Sequence, residues 1–133
     1  MKKMNNKGFS LIELIIVIAI MAVLVAIIAP NLTKYLGKSK TQTDKTNLDE
    51  IKKQFKNAIS DAATDEITNV AGTYTVSGNS VTGGDATFAT YVSKALDSDT
   101  NTKSKVDSTK DKIQVVVLGS DSAGYTLTAS FTQ

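Results

Sequence analysis

Gly8-Phe9-Ser10-Leu11-Ile12-Glu13 opens a run that carries no other charge as far as Ala29, so a single carboxylate sits near the start of an otherwise apolar segment. At about 1.5 Å per residue, Phe9 to Ala29 would extend roughly 31 Å as a helix, which is the thickness of a bilayer's hydrocarbon core. A charged side chain inside such a segment costs a few kcal/mol and marks a position whose partner should be sought. Glu13 is therefore the first candidate functional residue. The side chains from Leu11 to Ile28 leave no polar face, and a helix that is apolar all round must be buried by something.

Two plain readings compete for residues 1 to 30. A secretory signal peptide has an apolar core of about 7 to 15 residues with a small-residue cleavage site after it. This run is longer, and Pro30 immediately follows the one plausible site at Ala29. A simple membrane anchor fits the length but gives no reason for Glu13 or for the Gly8-Phe9 junction. Lysines flank both ends, Lys2, Lys3 and Lys7 before and Lys34, Lys38 and Lys40 after, so the positive-inside rule assigns no orientation.

Lys7-Gly8-Phe9-Ser10-Leu11-Ile12-Glu13 resembles the processing motif of type IV pilins and the type II secretion-like pseudopilins, prepilins with a class III leader peptide. The resemblance implies that residues 1–8 are a leader cut between Gly8 and Phe9 by a prepilin peptidase, which also methylates the new amino terminus at Phe9. It further implies that 9–30 form a transmembrane helix that later enters the filament core, with Pro30 at a kink. Residues 31–133 then form the pilin head, which includes the carboxy-terminal half of the long helix. Ala22 stands where several family members carry a helix-loosening glycine. The fold expected is α+β: a long kinked amino-terminal helix, half membrane-spanning and half amphipathic, packed on a small antiparallel sheet.

For function, the resemblance implies a non-catalytic subunit of a type IV pilus, polymerised helically with identical subunits into a surface filament for adhesion or motility. Membrane lipid would house the precursor, with its amino terminus in the cytoplasm and its head outside. An assembly ATPase and a platform protein would complete the machine. The alternative is a pseudopilin of a secretion or DNA-uptake machine, and a membrane-anchored receptor is the reading from a different class. In the family scheme Glu13 pairs with the ammonium that cleavage creates on Phe9 of a neighbouring subunit. Two unit charges about 4 Å apart at an effective dielectric near 20 attract by roughly 4 kcal/mol. Stranding one of them when buried costs on the order of 3 to 5 kcal/mol, so the pair would act as a register key. Gly8, with no side chain, suits a peptidase that must approach the backbone closely.

Composition narrows the rest. Of 133 residues the leader removes 8 to leave 125, enough for the apolar segment and one small domain. The formal charge is +2, from 15 Lys and 13 acidic residues, and loss of Lys2, Lys3 and Lys7 leaves 12 against 13, or −1. No Arg occurs, which disfavours specific nucleic-acid recognition. The absence of Cys and His removes thiol nucleophiles, disulfides and the commonest acid–base catalyst. Many Gram-negative pilins close a carboxy-terminal loop with a disulfide, so the lack of Cys resembles Gram-positive pilins or a pseudopilin. No Gly-rich phosphate loop or convincing carboxylate pair appears, and no cofactor or metal is expected.

Beyond Pro30 the spacing predicts that the helix resumes through Leu32, Tyr35 and Leu36. A stripe at Leu48, Ile51, Phe55, Ala58, Ile59 and Ala62 follows, facing a sheet. Gly37 is a second soft point. Period-two alternation at Tyr74 and Val76, a turn at 77–80 and a return through Val81 predict a hairpin. Ala86 to Leu96 reads as a short helix with Asp85 as its cap. Ile113 to Leu118 and Tyr125 to Phe131 read as an antiparallel pair whose dry face carries Tyr125, Leu127, Ala129 and Phe131. Asp97-Ser98-Asp99-Thr100-Asn101 begins like a calcium loop, but Thr102 and Ser108 stand where an EF-hand needs Gly and Glu. A solvated loop is expected there, and exposed surface through Lys112.

Overall fold

The computed structural model describes residues 8–67, 69–96, 100–120 and 123–133. Element order is α1 (Leu11–Thr64), β1 (Gly72–Ser77), β2 (Ser80–Gly83), α2 (Ala86–Ala95), β3 (Lys112–Ser120) and β4 (Gly124–Thr132). The α+β class expected from the resemblance is what the chain adopts. It divides into two units, one ending at Lys38 and one from Ser39 to Gln133, and α1 contributes to both.

In the first unit, α1 begins after Ser10 and holds Pro30 in its interior. Proline lacks the N–H that would reach back one turn, and the helix is hydrogen-bonded locally around it: Thr33 Oγ1 donates to the Pro30 carbonyl at 3.0 Å. None of the large apolar side chains here is covered. From Leu11 to Leu36 their exposure runs from 42% at Val17 to 77% at Leu11.

The second unit is a four-stranded antiparallel sheet in the order β2-β1-β3-β4. Its registers follow the alternation of the sequence. Tyr74 pairs with Val115, and Val115 with Ala129, so the apolar residues of three strands share one face. That face meets the α1 stripe Ile51, Phe55, Ala58 and Ala62, all at most 2% exposed, and α2 contributes Phe88, Ala89 and Val92. Leu48 and Ile59 flank the stripe, and the β4 residues Tyr125, Leu127, Ala129 and Phe131 are half-buried at the sheet's edge.

Three rings lock the elements together. Phe55 on α1, Tyr74 on β1 and Phe88 on α2 have centroids 5.4 to 6.4 Å apart in tilted or edge-on arrangements, geometry that favours aromatic contact. Phe55 is fully buried, so truncation to Ala would cost about 3 to 5 kcal/mol. The Tyr74 hydroxyl donates to the Val70 carbonyl at 2.9 Å and accepts from the Asp85 N–H at 3.3 Å. Gly84 must be glycine: its φ is +54°, and a Cβ there would collide with the Tyr74 ring. Asp85 caps α2 as its spacing predicted, accepting from the N–H groups of Thr87 and Phe88 at 2.9 and 3.0 Å.

The loop before β3 departs from the expectation of exposed surface. Thr102 and Ser104 are buried: Thr102 Oγ1 accepts from the Gly78 N–H at 3.4 Å, and Ser104 meets Asp44, which lies on α1 one turn before Leu48, on the same face as the core stripe. Its carboxylate accepts from Ser104 Oγ at 2.6 Å, from the Lys105 N–H at 2.6 Å and from the Val106 N–H at 3.2 Å. Burial works against the charge, but these three bonds outweigh it and hold the carboxyl below its ordinary value. The calcium-like residues 97–99 lie outside the described residues. Among the described residues no group of three or more acidic side chains could hold a metal ion.

Candidate functional site

Gly8, Phe9 and Glu13 lie together at the start of α1. Gly8 is exposed and lies outside any helix or strand, and a Cβ added to it would meet nothing within 4 Å among the described residues. Among the described residues nothing packs against this position in a way that requires glycine, which fits a requirement set from outside the chain. Phe9 is 87% exposed.

Glu13 has a partner within its own chain. With α1 beginning at Leu11, Ser10 is the N-cap and Glu13 the third helical residue, and the Ser10 N–H donates to Glu13 Oε2 at 2.8 Å. This is the glutamate half of a capping box, which satisfies one of the amide donors that every helix start leaves over. The carboxylate also complements the positive end of the helix dipole. The signal is local and readable in the sequence, Ser10-x-x-Glu13 immediately before an apolar run.

The cap limits what Glu13 can be doing without deciding it. The bond engages Oε2, and a carboxylate has acceptor sites for several donors on its two oxygens. A second donor, such as an ammonium, can therefore be accommodated while the cap persists. The cap also keeps the carboxylate partly satisfied in a medium without water, lowering the penalty for carrying it into lipid.

The surrounding helix meets the length and composition needed to cross a membrane, and the most apolar 18-residue stretch of it buries nothing inside the chain. An ion pair of the helix, Lys52 to Asp49 at 2.6 Å, lies far along it from Glu13. Pro30 lies within the same helix, beyond the apolar stretch.

Comparison with known proteins matches the same segment. Residues 3–29 fit the family model described as the prokaryotic N-terminal methylation motif. The type IV major pilin protein PilA of Myxococcus xanthus (strain DK1622) is 52% identical over 44 residues, covering 33% of this chain and 20% of that protein. Prepilin peptidase-dependent protein A of Clostridium perfringens (strain 13 / Type A) is 39% identical over 70 residues, covering 51% of this chain and 50% of that protein. The chain thus spans half or less of the length of these curated relatives. No solved structure matches it significantly. The likeness to type IV pilins and pseudopilins carried by Lys7 to Glu13 is shown, and it rests on the amino-terminal part of the chain.

Proposed function

We propose that the chain is a prepilin whose mature form is the structural subunit of a type IV pilus. Prepilin peptidase removes residues 1–8 at Gly8 and methylates Phe9. Residues 9–30 reside in the membrane until assembly, and Glu13 then accepts the Phe9 ammonium of a neighbouring copy while its cap to Ser10 is retained. Pro30 provides the bend between the apolar half of α1 and residues 31–133. The observation that carries this reading is that every large apolar side chain from Leu11 to Leu36 is uncovered by its own chain. Such a surface is stable only in lipid or against other helices, and a bundle of identical helices serves after lipid has served before. The open space at Gly8 fits a constraint imposed by an enzyme, and the names of the two relatives, a type IV major pilin and a prepilin peptidase-dependent protein, point the same way.

The direct test is electron microscopy of fibres sheared from cells expressing the chain, with mass spectrometry of their subunits. The expected result is long fibres composed of a chain that starts at methylated Phe9. Subunits that retain Met1 to Gly8 would overturn the processing scheme. Fibres only a few subunits long would assign the chain to the pseudopilins instead.

A further inference from the structure

The unit from Ser39 to Gln133 carries opposite charge on its two sheet edges. At about 100° per residue, Lys52 and Lys56 leave α1 on one flank of the buried stripe, and Asp61 leaves it on the other. The first flank faces the β4 edge, where Lys52, Lys53 and Lys56 line a groove with Tyr125 and Leu127. The second faces α2, which packs on the opposite edge strand, β2. There Asp61, Asp65 and Glu66 cluster at the end of α1, and Asp65 accepts a hydrogen bond from Tyr91 of α2. Asp49 lies among the three lysines of the groove and Lys94 beside Tyr91, so the groove lining is net positive and the cluster of Asp61, Asp65 and Glu66 with Lys94 net negative.

We infer that the groove at the β4 edge receives the acidic corner of a second copy of this chain, with Lys52, Lys53 and Lys56 of one copy facing Asp61, Asp65 and Glu66 of the next. The two patches lie on opposite edges of one sheet, so a pair joined this way leaves a lysine groove open at one end and an acidic corner open at the other. The contact is heterologous, and heterologous contacts propagate into rings or open helical arrays. A contact of either edge with itself would set like charges together, which association disfavours. Tyr125 and Leu127 supply an apolar floor beneath the lysines, giving the groove shape as well as charge. The inference deepens the filament reading and rests on it for its setting, since it names which surfaces of the heads meet.

Because the chain contains no Cys, an introduced pair would be its only thiols. The test places Lys56→Cys and Asp65→Cys together in the full-length chain and oxidises intact cells. Disulfide-linked trimers and longer species are expected in the membrane or sheared fraction, collapsing to monomer under reductant. Either substitution alone should give no ladder. Adding Lys52→Glu to the pair should cut ladder yield by about tenfold. A second pair, Lys53→Cys with Glu66→Cys, also on exposed residues, is read in the same way should the first accumulate poorly. Absence of a ladder from both pairs, or dimers from Lys56→Cys alone, would overturn the inference even if normal fibres form. A ladder without fibres would leave the edge contact standing and remove the filament reading instead.

Discussion

Glu13 shows how one carboxylate can have two explanations that a single substitution confounds. Removing it to Val abolishes the charge and the capping-box bond to Ser10 together, so loss of fibres would not say which mattered. Gln at this position still accepts from the N-cap amide, keeping the helix start while deleting the charge. We expect Glu13→Gln to leave the chain in the membrane at parental levels and to reduce fibres at least tenfold, because the neighbour's ammonium would be buried without a counter-charge. Normal fibre counts by electron microscopy of the Gln variant would reduce Glu13 to a helix cap. Ser10→Ala is the converse control. It keeps the main-chain N–H that donates to Glu13, so fibres should persist with only a modest loss of helix-start stability, about 1 kcal/mol.

Among the elements, the loop from Asn101 to Asp111 depends most on a single contact. Asp44 satisfies two main-chain N–H groups and a hydroxyl there, and loss of its side chain would strand a buried hydroxyl and two partly buried N–H donors. Asp44→Ala should lower stability by about 2 to 3 kcal/mol. The pH dependence follows from the direction of its shift. Because the folded carboxyl titrates below the ordinary 3.8, the stabilisation is complete above that value and is lost as pH falls through the folded one. The difference in urea midpoint between the parent and Asp44→Asn should therefore be constant near neutrality and shrink below about pH 3.8. A difference that persists unchanged at pH 2 would contradict it.

This loop also marks the boundary of what the sequence reveals. The hairpin at Tyr74 to Gly83, the cap at Asp85 and the β3–β4 pair were legible because alternation and capping are local patterns. Asp44 has the same spacing as the core stripe that continues at Leu48 and Ile51, but its partners are about sixty residues away, and no local period announces them. The run after Asn101 reads as solvated because its composition is polar. A polar segment is buried only when something distant pays its hydrogen bonds, and that information is tertiary. The charge division between the two sheet edges is hidden for the same reason, since it becomes visible only once the strand order places β4 and β2 at opposite sides.

For the whole molecule, apolar surface is partitioned sharply along the chain. Among the described residues the large hydrophobic side chains left exposed run from Phe9 to Leu36, and after Ser39 only Val106 and Leu118 join them. The buried core, from Ile51 to Val117, and the Asp44 contacts lie entirely within the second unit. A chain beginning at Ser39, 133 less 38 or 95 residues, therefore keeps every core contact while shedding the surface that demands lipid or a helical bundle. Chains of this size bury enough surface to fold alone. We expect this fragment to be soluble without detergent and to unfold in one cooperative urea transition, with a slope of about 1 kcal/mol/M. It should also sediment as a monomer at ordinary salt, because exposed charge pairs contribute at most about 1 kcal/mol each and are screened. The edge contact would then orient heads that the apolar helices hold together. A fragment that aggregates, or melts without cooperativity, would mean that the amino-terminal residues contribute to folding the head as well as to anchoring it.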